Sequence, residues 1–155
     1  MTPELETKAK QERMRGRWRE TTNDRSRIVE YLRYRGLPES VLDDIADDVI
    51  RFHPDLDYWD SDDEGNPVRR GTFPAMVGRM TDGDGQGVNL HQTYLSADNA
   101  GKADIDPNKK VMSGPTKGAS IKLCPAGSVL GLAEGIETAL AVHAATGQPV
   151  WSIYS

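Results

Sequence analysis

Cysteine is nearly absent from this 155-residue chain. Its single cysteine, Cys124, excludes an internal disulfide and any cysteine zinc ribbon. Lying between Leu123 and Pro125, that thiol reads as inert rather than nucleophilic. Long apolar runs are missing too. None is long enough to cross a bilayer, so a soluble cytoplasmic protein is the expectation. Histidine is sparse, and His53 has no second histidine at ligand spacing, so it reads as structural. A basic excess is also lacking, because the formal net charge is −5. That balance argues against a protein that coats nucleic acid by charge alone.

The charge that is present is unevenly placed. The first 35 residues are rich in Lys and Arg, whereas residues 39–64 are rich in Asp and Glu. In residues 1–20 apolar side chains are too sparse to bury a face, so a solvated helix or a disordered arm is expected. The alternative is a nucleic-acid or partner-binding arm with Trp18 available to stack. For the acidic stretch, a wet helix face followed by a solvated loop competes with a mimic of a phosphate backbone that docks on a basic groove.

Periodicity predicts the elements. Residues 24–36 form a short helix with Ile28, Val29, Tyr31 and Leu32 on its apolar side and Gly36 at its end. A second helix is expected over Glu39–Ile50, with Val41, Leu42, Ile45, Val49 and Ile50 facing a core. Residues 51–59 read as a strand and 60–66 as a turn. A β-hairpin follows, in which 72–80 and 88–95 flank the Asp-Gly steps of 81–87. Asp82 and Asp84 invite a metal reading, but flanking glycines and the lack of a closing glutamate favour a turn. Residues 96–118 form a polar connection, in which Asp104 and Asp106 again read as a turn, and 119–123 a short strand.

The last stretch has the clearest organisation. Val129–Ala133 reads as a buried strand, Ile136 to Thr146 as a helix stopped by Gly147, and Val150–Tyr154 as the next strand. This is a β-α-β unit with Glu134 at the carboxyl end of its first strand, where parallel α/β sheets bind ligands.

Leu132-Ala-Glu-Gly-Ile-Glu-Thr-Ala-Leu-Ala141 and Thr146-Gly-Gln-Pro-Val-Trp151 resemble the first motif of the Toprim domain in its primase-like branch. Earlier segments are similar to the same family: Tyr31-Leu-Arg-Tyr-Arg-Gly-Leu37, Arg51-Phe-His-Pro54, and the hairpin from Phe73-Pro74 to His91-Gln-Thr-Tyr-Leu95. The resemblance covers about residues 26–155. It implies an α+β fold, with N-terminal helices packed on a small, mostly antiparallel sheet, followed by one β-α-β unit of a truncated Toprim fold. The implied regions are a charged arm (1–25), a primase-core N-terminal region (26–127) and the incomplete Toprim unit (128–155).

The resemblance also implies roles. Glu134 would be the catalytic carboxylate, completed by an Asp-x-Asp that this sequence does not reach. Glu134 and Glu137 would be the nearest candidates to hold Mg²⁺, weakly or not at all. Arg79, Lys102 and Lys110 would contact phosphate or template, with ordinary solvated lysines as the alternative. One departure is Gln92, where relatives carry Arg, which removes a charged fork. The function implied is a phage or mobile-element primase-like protein that is catalytically incomplete by itself and acts by binding. The expected partner is single-stranded DNA or a replication protein. The alternative is a stand-alone inhibitor of a host nucleic-acid machine such as a defence nuclease complex. A homodimer through an exposed edge at the last strand is also expected.

Overall fold

The computed structural model describes residues 2–154; Met1 and Ser155, the expected tip of the last strand, lie outside them. Helix α1 (Pro3–Arg19) has the start and stop chemistry its sequence supplies. Thr2 caps the amide of Leu5 at 3.3 Å, Pro3 opens the first turn, and acidic residues begin and basic residues end the helix. Its one buried residue is Met14, with Trp18 half-buried one turn on. Two apolar side chains at i and i+4 are enough to seat an otherwise polar helix.

Helix α2 (Ser26–Tyr34) buries Ile28, Tyr31 and Leu32, the spacing of a single helical face. The second predicted helix is not there. Only a 3₁₀ turn, Glu39–Leu42, forms, and residues 43–49 run as turns. Their backbone bonds span three residues rather than four: Asp43 N–H to Ser40 O, Ile45 N–H to Leu42 O and Val49 N–H to Ala46 O. The Arg25 guanidinium takes the carbonyls of Ile45 and Ala46 at 3.3 and 2.7 Å, and Val49 O accepts from Arg79 N–H at 2.9 Å in the sheet. Tertiary partners have replaced the helical ladder, yet Val41, Leu42, Ile45 and Ile50 still reach the core.

The strands are β1 (Ile50–Ser61), β2 (Pro67–Thr81), β3 (Gly87–Tyr94), β4 (Lys109–Val111), β5 (Ser120–Ile121), β6 (Gly131–Glu134) and β7 (Val150–Ile153). They make one seven-stranded sheet in the order β4-β3-β2-β5-β7-β6, with β1 also paired to β2. Every pairing is antiparallel except β6 with β7. The fold is therefore α+β with N-terminal helices, and the sheet is continuous from the hairpins into the β-α-β unit. Pro54, which has no N–H to donate, sits where the β1 register shifts.

Two hairpin turns have the same construction. Asp62 Oδ1 accepts from the amides of Glu64 and Asn66, and Asp82 Oδ1 from those of Asp84 and Gln86, at 2.8 to 2.9 Å. Gly65 and Gly85 hold φ of +83° and +81° at the position that demands it. The Asp82 carboxylate is thus committed to its own backbone. His53 likewise serves the framework, with Nε2 3.0 Å from Glu20 Oε1 and Nδ1 accepting from Asp55 N–H, which ties the end of α1 to β1.

Side-chain alternation sorts the sheet into two faces. Met76 and Met80 of β2 join α2, the 3₁₀ turn and helix α3 (Ile136–Thr146) in the larger core. Ala75 and Val77 join Met14 of α1 and the edge-to-face trio Tyr58, Phe73 and Tyr94 in the smaller one. Gly78 lies on the larger-core face, where an added Cβ would come 2.8 Å from Ile121 Cδ1 and 3.1 Å from Ile136 Cδ1. The glycine permits α3 and β5 to close on β2.

Two expectations about the C-terminal unit need correcting. The predicted strand Val129–Ala133 is not fully buried, because Val129, which precedes β6, and Leu132 within it are 62% and 60% exposed. Only its alternate residue Ala133 packs against the core. The last strand is also not the edge. Strand β7 lies between β5 and β6, and β6 is the outer strand among the described residues. The helix ends as its sequence predicts, with Gly147 in the left-handed region at φ 72° donating to His143 O at 2.8 Å.

Candidate functional site

Four segments meet at the first turn of α3. Glu137, the second residue of that helix, is buried against Tyr31 of α2, Lys109 of β4 and Lys102 of the β3–β4 connection. The Tyr31 hydroxyl donates to Glu137 Oε1, Lys109 Nζ donates to Oε2 at 2.7 Å, and Lys102 Nζ stands 3.9 Å from Oε1. Arg35 adds a further positive charge that acts on both Tyr31 and Lys102.

The sequence builds this meeting point locally. Lys102 comes off a loop whose carbonyls converge on one side chain. The Arg27 guanidinium takes Ser96 O, Asn99 O, Ala100 O and Gly101 O at 2.9 to 3.2 Å. Within that loop Ser96 Oγ accepts from the amides of Asp98 and Asn99, and Asn99 Oδ1 from that of Gly101. An arginine fork with several carbonyl acceptors makes a stiff mount, because its planar donors fix each acceptor's direction. Lys109 faces α3 because of register. It pairs with Thr93, and its neighbour Lys110 pairs with Gln92.

Electrostatics follow from this geometry. Burial alone would raise the Glu137 pKa, but hydrogen bonds from Lys109 and Tyr31 and the charges of Lys109 and Lys102 hold it below the ordinary carboxylate range. Burial, then the hydrogen bond to Glu137, pushes the Tyr31 hydroxyl far above a phenol's usual value. Tyr31 therefore stays protonated and donates. On the adjoining face of β3, His91 is pushed down to about 4, by burial first and then by the charge of Lys109. Among the described residues, His91 Nδ1 and Thr93 Oγ1 are buried with no hydrogen-bond partner. Such groups are rare in folded proteins and ask for a partner.

The residues expected from the sequence separate sharply. Glu137 and Lys102 belong to this cluster. Glu134 does not: it is exposed, shares the outward face of Leu132, and has no polar partner among the described residues. Lys110 lies on the opposite face, where its Nζ donates to Trp59 O and sits 4.2 Å from the Tyr58 ring centre. Arg79 also lies on that face, folded over Gly87. Gln92 accepts from Arg17 Nη1 at 3.0 Å, so α1 brings a guanidinium to the strand position that the resemblance would fill with one. Lys109, Tyr31, Arg27, His91 and Thr93 went unassigned, although the β3 alternation His91-Gln92-Thr93 marks which residues share a face.

The donors present do not suit Mg²⁺. Among the described residues no three His, Cys, Asp or Glu side chains come together, and the one buried carboxylate is already neutralised by two ammonium groups. The same set suits an anion well. Two ammonium groups face a single carboxylate at a helix N-terminus, whose first amides have no acceptor inside the helix. The chain belongs to a domain family of unknown function, DUF7146, which matches residues 8–123. No curated protein and no solved structure matches it. The family match takes in Tyr31, His91, Thr93, Lys102 and Lys109 but stops before Glu137. Among the described residues no helix is long and apolar enough to cross a membrane.

Proposed function

We propose that this chain is a primase-like module of a phage or mobile element that acts by binding, and that its cluster at the start of α3 holds a phosphate of single-stranded DNA. The observation that carries the reading is the convergence of Lys102 and Lys109 on the first turn of α3, beside the unpartnered His91 Nδ1 and Thr93 Oγ1. Two ammonium groups supply attraction. The free helix amides and the neutral imidazole, which can donate from its ring N–H, supply direction. Tyr31 holds Glu137 aside as a fixed counter-charge. Catalysis would require Glu134 to be joined by further carboxylates, which do not come together among the described residues, so the reading rests on binding and assigns Glu134 and Mg²⁺ no part in it.

The inhibitor reading would use either the acidic stretch 39–64 or the primase-like surface to bind its target. Asp43, Asp44, Asp47 and Asp48 precede β1, whereas Asp60, Asp62, Asp63 and Glu64 lie at its far end, with only Asp55 and the Arg69-paired Asp57 between them. At ~3.3 Å per residue, a strand of that length separates them by about 40 Å. We therefore favour nucleic acid as the partner. The test is fluorescence anisotropy with a labelled single-stranded oligonucleotide over a salt series. Lys102→Gln with Lys109→Gln should weaken binding about tenfold and flatten the salt dependence, each phosphate no longer neutralised removing ~0.7 from the slope. Unchanged affinity in that folded double variant would remove the reading.

A further inference from the structure

A second cationic feature lies on the opposite face of the sheet, and the α3 cluster does not account for it. Between α1 and the β2–β3 hairpin runs a cleft of about 470 Å³. One wall is helical and carries Arg15 and Arg19, four residues apart and therefore on one side of α1. The other wall carries Arg79. The single carboxylate in the lining is Asp48, so the cleft has an excess of two positive charges in a chain that is negative overall.

Arg79 is the most telling of the three. Its guanidinium lies flat over Gly87, with Nε 3.0 Å and Nη2 3.1 Å from where a Cβ on that glycine would sit. It is half-buried, and among the described residues its side chain has no hydrogen bond and no ion pair. Arg19 is also unpaired among the described residues. Arg15 meets only Glu12, in an exposed pair at 3.1 Å. Exposed pairs of that kind contribute little to stability and yield readily to a better anion.

Cations make only half of the cleft. Met14 and Leu90 lie buried beneath it, and its apolar side is the half-buried indole of Trp18. That ring is immobilised by Arg51, which sits 5.5 Å from its centre and is itself anchored on Thr21 and Asn23. A bare anion would need the arginines and no apolar side. A duplex is too wide to enter a space of this size. Guanidinium groups lining a cleft with an apolar, aromatic side match a phosphate backbone with an unstacked base beside it.

We infer that the α1 cleft is a binding site for single-stranded nucleic acid, with Arg15, Arg19 and Arg79 on the phosphates and the Trp18 indole against a base. The site stands independently of the α3 cluster, which lies across the sheet. Gly87 is part of it, because a side chain there would press on the Arg79 fork, which would have to give by a few tenths of an ångström.

The experiment measures the affinity of the full chain for a labelled oligothymidylate by anisotropy, from about 50 to 200 mM salt. Four variants are compared: Arg79→Gln, Arg15→Gln with Arg19→Gln, Gly87→Val, and Lys102→Gln with Lys109→Gln. Circular dichroism and urea unfolding check that each is folded. Each arginine variant should weaken binding roughly tenfold and lower the salt slope by ~0.7 for every phosphate it no longer neutralises. Gly87→Val should weaken binding in the same direction as Arg79→Gln, by less, without any change of charge. Wild-type affinity in the folded arginine variants would overturn the inference, and so would equal competition by a duplex of the same length. Weakening in the lysine variant alone would sink the cleft and keep the α3 reading. Weakening in the arginine variants alone would do the reverse.

Discussion

Lys109 and Lys110 are neighbours in sequence and opposites in situation. Lys109 points toward α3, with a buried carboxylate at 2.7 Å and two buried polar atoms nearby that have no partner among the described residues. Lys110 points toward α1, where a carbonyl and an aromatic ring already satisfy it. The adjacent strand repeats the contrast. Gln92 is paired with Arg17, whereas His91 and Thr93, one residue to either side, have side-chain atoms left over. Along this stretch, the face that looks toward α1 is chemically complete, and the face that looks toward α3 is not. Polar atoms left unpaired inside a protein cost stability, and their concentration on one face beside two ammonium groups is what supports the phosphate proposed there.

The largest expected effect comes from removing the carboxylate that balances that face. Glu137→Leu leaves two ammonium groups without a counter-charge and Tyr31 without an acceptor. Because both lysines are partly exposed and can turn toward water, the destabilisation should be about 2–4 kcal/mol, below the range for a fully buried pair. Urea unfolding measures it, and a change below about 1 kcal/mol would show that the face is not organised by Glu137.

The next effect concerns pH. His91 titrates at about 4 in the folded chain, well below its unfolded value near 6.5. Below that unfolded value the unfolded state binds the extra proton, so His91 erodes stability as pH falls from about 6.5 toward 4. Glu137, whose folded pKa is depressed, contributes stability above its unfolded value and loses it as pH falls through and below the carboxylate range. Unfolding free energies of wild type and His91→Gln should therefore diverge between about pH 6.5 and 4, the variant having the shallower slope. Parallel curves would mean that the imidazole is not buried as described.

Two smaller changes sharpen the contrast. Gln92→Arg, which supplies the residue the primase resemblance would place there, sets a second guanidinium against Arg17 and should cost about 1 kcal/mol by removing one hydrogen bond. A gain in stability would show that α1 moves away freely. Glu134→Ala should change stability by less than ~0.5 kcal/mol, as expected of an exposed residue without polar partners. A larger effect would restore Glu134 to the centre of the site.

Local patterns were legible where local chemistry decides. The hairpin over β2 and β3 follows from its Asp-Gly turn, and the β6–α3–β7 unit from two short apolar runs around a helix closed by Gly147. Long-range pairing hid the rest. Residues 43–49 have a helical pattern, but Arg25 and the sheet claim their carbonyls. The open edge falls on β6 because β5, a strand of only two residues, covers β7. Most instructive is the lysine. A resemblance can place a basic residue in a short strand, but a shift of one position sends it to the other face, and only register against Thr93 brings Lys109 rather than Lys110 to Glu137.

The most direct test of the central claim is to compare Lys109→Gln and Lys110→Gln in oligonucleotide affinity over the same salt series. Glutamine keeps a donor at each position, on a slightly shorter side chain, and removes the charge. The account predicts that Lys109→Gln weakens binding several-fold and lowers the salt slope by ~0.7, whereas Lys110→Gln stays within about twofold of wild type. Equal weakening in the two variants, or weakening in Lys110→Gln alone, would contradict it.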